Sequence, residues 1–171
     1  MAKLTVKASD FKGLNYPALF IRAAASTFSR TQVKSIGQDV VAEMKDLIAK
    51  GISPIQSEGR FPAYKNTDKY PKRVKEIYPS KKNRPVNLLL SGEMLDALKV
   101  LNTGVKNADP FFTIGYSTQD AQDKERGHRE GANGQPKRPT IPDRNESFAV
   151  SIQKIILDAV RERITKIFKE T

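Results

Sequence analysis

The sequence predicts an α+β fold in which two long helices and a short helix pack on a small antiparallel sheet, with long extended loops between them. Three observations lead there. Two segments, near residues 30–50 and 143–168, repeat apolar residues at steps of three and four. Two short runs, 98–103 and 111–117, are separated by turn residues and read as strands. The long intervals between these elements are rich in proline, glycine and lysine.

Taken in order, residues 1–13 read as a short arm in which Leu4 and Val6 alternate weakly with polar neighbours. Residues 14–28 read either as a first helix opening near Pro17 or as a partly ordered continuation of that arm. The region 29–171 then forms a single domain. Val33, Ile36, Val40, Met44 and Leu47 make one apolar stripe on a helix at about 30–50. Ser29 or Thr31 can cap its start, and Gly51 suits its end.

Residues 52–85 carry Pro54, Pro62, Pro71, Pro79 and Pro85, and read as an extended basic loop. Regular structure resumes with LLLSGEMLDALKVL, where Ser91 is the expected cap of a short helix carrying Met94, Leu95 and Leu98. The two strands follow, joined through Asn102, Gly104, Asn107 and Asp109. A short polar helix is expected from Ser117 to about Arg126, stopping at Gly127, and an open loop GHREGANGQPKRPTIP comes after it. The last helix is the strongest pattern: Phe148, Ile152, Ile155, Ile156, Ala159, Val160, Ile164, Ile167 and Phe168 share a face. Asp143 and Glu146 have capping-box spacing at its start.

Composition narrows the function classes. With no cysteine, disulfides, thiolate metal sites and cysteine nucleophiles are excluded. The amino terminus carries no apolar signal core, and no apolar run is long enough to span a membrane, so a soluble protein made in the cytoplasm is expected. Hydrophobic residues make up 38% and charged residues 29%, a balance that suggests one modest core with polar arms that order on partners.

The net charge is +11, and it is concentrated. Between Arg60 and Arg84, nine basic residues meet only Asp68 and Glu76, a net +7. Such a stretch attracts nucleic acid, an anionic membrane or an acidic protein face. Tyrosines punctuate it, so base stacking beside phosphate contacts is one reading. Docking on a neighbouring subunit is the other, and the frequent prolines favour it.

Catalytic patterns do not hold together. The single histidine, His128, lies among Gly127, Arg129, Glu130 and Gly131, which reads as an exposed loop without a nucleophile or orienting partner. Gly51-Ile-Ser53-Pro-Ile fails the last position of a nucleophile elbow. Gly131 to Lys137 fails as a phosphate loop because Pro136 stands where glycine is required. Asp39, Glu43 and Asp46 fall on the polar side of their helix, as solvated charges do.

The order of elements over roughly residues 30–168, with two short motifs, resembles the bacteriophage virion-morphogenesis family of tail-completion and head-to-tail neck proteins. One motif is a leucine pair, a small residue, glycine and methionine opening a short helix: Leu89, Leu90, Ser91, Gly92, Glu93, Met94. The other is Arg138, Pro139, Thr140, Ile141 and Pro142 before the last helix. Thr140 stands where the family often has an aromatic residue, and Tyr116-Ser117 replaces its usual Tyr-Ala.

The resemblance implies a non-enzymatic virion protein without a cofactor, present in the tail or neck and in the host cytoplasm during assembly. Its implied partners are copies of itself in a ring, for which a hexamer is one form, and neighbouring tail-tube, tail-terminator or head-connector proteins. Packaged DNA is a further candidate contact. A basic nucleic-acid-binding protein using residues 60–84 is the alternative. Arg60, Tyr64, Tyr70, Lys72, Arg73, Lys75, Tyr78, Arg129 and Arg138 are the candidate partner-binding residues, being types favoured at interfaces in the two loop regions.

Overall fold

A computed structural model describes residues 3–7, 27–63, 86, 88, 92–106 and 109–169. The elements among them are β1 (Lys3–Lys7), α1 (Arg30–Ala49), α2 (Glu93–Asp96), β2 (Leu98–Lys106), β3 (Asp109–Tyr116), α3 (Gln119–Glu130) and α4 (Val150–Lys169), with a 3-10 turn at Ala132–Gly134. The architecture is α+β: helices packed on a three-stranded antiparallel sheet of order β1-β3-β2. The expected helix at 14–28 lies outside the described residues, except for Thr27 and Phe28, which are not helical.

The sheet has one strand more than the sequence suggests. Lys3–Lys7 is not a free arm but an edge strand, in register from Lys3 opposite Gly115 to Lys7 opposite Phe111. Period two explains it: Val6 is buried against the core while Lys3 and Thr5 face outward, and Thr5 Oγ1 bonds Thr113 Oγ1 at 3.0 Å. A bulge between Val100 and Asn102 lets β2 keep Leu98 and Thr103 buried on the inner face.

α1 is the central element, contacting β2 and β3 on one flank and α4 on the other. Its start is a capping box: Gln32 N donates to Ser29 Oγ at 3.2 Å, and Ser29 N donates to Gln32 Oε1 at 2.9 Å. Its end is a Schellman motif about left-handed Gly51, with Ile52 N on Leu47 O at 2.9 Å and Gly51 N on Ile48 O at 3.0 Å. Gly37 lets the helix approach the sheet closely. A Cβ there would lie 2.9 Å from Val100 Cγ2 and 3.2 Å from the Phe112 ring. Ile152, Ile156, Val160 and Ile164 form the buried stripe of α4, one residue per turn.

Several boundaries differ from the sequence reading. The short helix has Gly92, in the left-handed region, at its N-cap position and no side-chain cap, and Ser91, the expected cap, lies outside the described residues. α3 runs through Gly127 to Glu130 and ends at Gly131, where a Cβ would meet Gln135 O at 2.7 Å. His128 is therefore half-buried in a helix rather than exposed in a loop. Asp143 and Glu146 close a separate turn, Asp143 N donating to Glu146 Oε2 at 2.7 Å, four residues before α4 begins.

The largest correction concerns residues 52–63, expected to start the extended loop. They form a tight hairpin instead. Ile52 bridges Arg60, and Ser53 N donates to Gly59 O at 2.7 Å. Ile55 and Phe61 are buried in the core. The hairpin is stitched to the entrance of α4 by Gln56 N on Ser147 O at 2.9 Å and Ala149 N on Pro54 O at 2.7 Å. Prolines stop helix and central-strand formation, but they do not prevent a hairpin from burying its apolar residues.

Candidate functional site

The described start of the first region singled out as an interaction loop, residues 60–63, meets the second at Arg138. Residues 136–142 run as a strap from the end of α3 toward α4, and most of the strap is buried. Its centre is Arg138, 1% exposed. The guanidinium donates from Nε to Pro62 O at 3.0 Å, from Nη2 to Ala63 O at 3.1 Å, and from Nη1 to Pro136 O at 3.4 Å. Its backbone N donates to His128 O at 2.8 Å. A planar fork of fixed donors is what two consecutive carbonyls require. Arg138 thus ties the strap to Pro62 and Ala63, the last described residues of the 27–63 segment. Ser53 adds a second tie, its hydroxyl donating to Pro139 O at 2.9 Å while accepting from Ile55 N at 3.2 Å.

One residue further along the strap, a chain of polar groups leads into the core. Glu125, 0% exposed on α3, accepts at Oε1 from Thr140 N at 3.1 Å, Thr140 Oγ1 at 3.3 Å and Ile141 N at 3.4 Å. Tyr116 OH lies 2.7 Å from Thr140 Oγ1. A carboxylate only accepts, so the Thr140 hydroxyl donates to Glu125 and accepts from Tyr116. Burial, reinforced by the nearby Glu125 charge, pushes the Tyr116 phenol well above its usual range.

Arg129, one turn beyond Glu125, lies with Nε 3.8 Å from Glu125 Oε1. Its Nη1 pairs with Asp143 at 2.8 Å and Glu146 at 3.3 Å, and its Nη2 donates to Ile141 O. α3 therefore offers Glu125 and Arg129 on one face, one gripping the strap from inside and the other from its edge. Charged groups taken this far out of water depend on such partners; Glu125 Oε1 and the two Arg129 Nη atoms have them, while Glu125 Oε2 and Arg129 Nε meet no hydrogen-bond partner among the described residues.

These contacts reassign two candidate residues. Arg129 and Arg138 are tied within the subunit: Arg138 is sealed from solvent and Arg129 is committed to carboxylates at the strap. Arg60 is exposed on the hairpin. Tyr64, Tyr70, Lys72, Arg73, Lys75 and Tyr78 lie outside the described residues.

Sequence reading missed Tyr116, Glu125 and Thr140. A signal was present: Ala121, Glu125 and Arg129 recur every fourth residue in an otherwise polar helix, which marks its inward face. Among the described residues no cluster of three or more His, Asp or Glu side chains is placed to hold a metal ion. No helix of the described residues is long and apolar enough to cross a membrane. Compared with known protein families, characterised proteins and solved structures, the chain gives no match.

Proposed function

We propose that the chain is a structural assembly protein of a long-tailed bacteriophage, completing the tail or joining tail to head as part of an oligomeric ring. The observation that carries this reading is the clamp around Arg138. Two hydrogen bonds from one buried guanidinium hold the carbonyls of Pro62 and Ala63, at the described end of the 52–63 hairpin, and a third holds Pro136 of the strap. A solvated linker needs no such mooring, whereas a segment presented to a neighbouring protein gains from a fixed root, because less freedom is lost on docking. The LLLSGEM and RPTIP motifs supply the family side of the reading.

The reading assigns no catalysis and no cofactor. Its working residues are those of the basic stretch, Lys72, Arg73, Lys75 and the tyrosines about them, directed at copies of the chain and at acidic faces of tail or connector proteins. Electron microscopy of the purified protein, alone and mixed with tail and connector proteins, tests it. Closed rings, or density at a tail end or neck, are the expected result. A uniformly monomeric protein that joins neither structure, yet binds random duplex DNA with a steep salt dependence, would overturn it in favour of nucleic-acid binding.

A further inference from the structure

Three polar atoms on the inner face of α3 are sealed from solvent and meet no hydrogen-bond partner among the described residues: Gln122 Oε1, Glu125 Oε2 and Arg129 Nε. Spacings of three and four residues put their side chains on one face of the helix. The rest of each side chain is committed. Glu125 Oε1 serves the strap at Thr140 and Ile141, and the Arg129 Nη atoms hold Asp143, Glu146 and Ile141 O. Gln122 Nε2 donates to Tyr116 O at 2.9 Å. That carbonyl can only accept, so the amide is fixed with its NH2 group toward Tyr116, and Oε1 is left as an acceptor. Arg129 Nε lies 3.8 Å from Glu125 Oε1, beyond a direct hydrogen bond and within reach of a bridging molecule.

We infer that a single buried water molecule binds on this face of α3, donating to Gln122 Oε1 and Glu125 Oε2 and accepting from Arg129 Nε–H. The leftover groups select the occupant, since they are two acceptors and one donor. A metal cation could use the two oxygens, but it would face the guanidinium and could not take its N–H. A small anion could take the N–H, but it would face the carboxylate. An ammonium group donates and cannot accept. Water donates twice and accepts, which leaves no group unpaired, and three is the usual number of hydrogen bonds for a buried water. Three bare polar atoms would instead lose their hydration with nothing in return.

The water joins two grips on the strap. Glu125 holds it from inside and Arg129 from its edge, and Arg129 Nε does not reach the carboxylate directly. Through the water the two act as one unit, and Gln122 carries the connection on to the Tyr116 carbonyl at the end of β3. The inference goes beyond the assembly reading and does not depend on it.

The test uses the full-length isotope-labelled protein. Water-selected NOESY and ROESY spectra should show a cross-peak between Arg129 Nε–H and water, with the sign relation of a molecule held far longer than surface water. A crystal structure fine enough to show ordered solvent should place one water oxygen about 2.6–3.2 Å from all three atoms. Gln122→Met, at a half-buried position, replaces the amide by a thioether that accepts only weakly. It should leave the water two partners, and the cross-peak should lose most of its intensity while the backbone spectrum stays that of the folded protein.

The absence of a long-lived water at Arg129 Nε–H overturns the inference, and so does an undiminished cross-peak in folded Gln122→Met. In the crystal, an ion at the centre, a direct contact between the Glu125 and Gln122 oxygens, or protein groups pairing all three atoms would overturn it as well. The unsubstituted protein decides the question in both measurements even if Gln122→Met does not fold.

Discussion

Glu125 is a carboxylate without solvent exposure whose one oxygen, Oε1, serves three donors of the strap while Oε2 meets no hydrogen-bond donor among the described residues. Glu125→Ala leaves Thr140 N, Ile141 N and the Thr140 hydroxyl to find other acceptors and takes a partner from Arg129. The expected loss is about 3 kcal/mol in urea unfolding, a large part of a typical domain's stability. Glu125→Gln keeps an acceptor oxygen but buries an amide donor in place of Oε2, so roughly 1–2 kcal/mol is expected. A loss below about 0.5 kcal/mol for both variants would mean the strap is held from elsewhere.

Tyr116 makes a pH prediction. Its folded phenol titrates above the value of about 10 that an unfolded tyrosine shows. Below pH of about 10 both states hold the proton and the contribution to stability is complete. Above it the unfolded chain ionises first, so stability falls as pH rises toward the folded value. Ultraviolet titration should therefore find the Tyr116 phenol ionising at higher pH in the folded protein than after unfolding.

At the scale of elements, α1 packs on the sheet through Gly37 and on α4 through a stripe of aliphatic residues. In an exposed helix, glycine to alanine gains about 1 kcal/mol. Here the added methyl meets Val100 and Phe112 at less than contact distance, and Gly37→Ala should instead destabilise by about 1–3 kcal/mol. On α4, Ile152→Ala and Ile156→Ala should each cost about 2–5 kcal/mol, while half-buried Ile155→Ala costs less. Thermal melts of the four variants give the order directly, and Ile155 as the costliest would mean α4 is rotated from the position described.

The strap is the element that joins both loop regions. Arg138→Ala should lose about 2–4 kcal/mol and speed tryptic cleavage beyond Ala63. Arg138→Lys should rescue little, since a single ammonium cannot span two carbonyls as a fork does.

For the whole molecule, the charge of +11 bears on association more than on the fold. In the proposed assembly, free copies would repel one another until acidic partners arrive. Reversing Lys72, Arg73 and Lys75 to glutamate should abolish incorporation into particles while changing the melting temperature by only a few degrees. Normal incorporation would remove the basic stretch from the proposed role, and a large stability loss would place it within the fold.

The sequence by itself determined the class of fold, α1 with its capping serine and terminal glycine, the β2–β3 pair and the apolar face of α4. Each is written in short-range terms: a period of 3.6 or 2, a cap, a turn between strands. What only the tertiary structure decided is long-range. Lys3–Lys7 carries too weak an alternation to announce a strand, and it becomes one because β3 offers an edge more than a hundred residues away. Residues 52–63 carry the prolines of a loop, and they fold because Pro54–Gln56 finds Ser147–Ala149.

Arg129 and Arg138 have the side chains of an interface, and they turn inward because the carbonyls of Pro62, Ala63 and Ile141, with the carboxylates of Asp143 and Glu146, converge on them. Local pattern states which side chains avoid water. Which buried donors meet which acceptors depends on where distant segments cross, and only the folded chain links Tyr116, Thr140 and Glu125 by hydrogen bonds and ties Arg138, on the same strap, to Pro62 and Ala63.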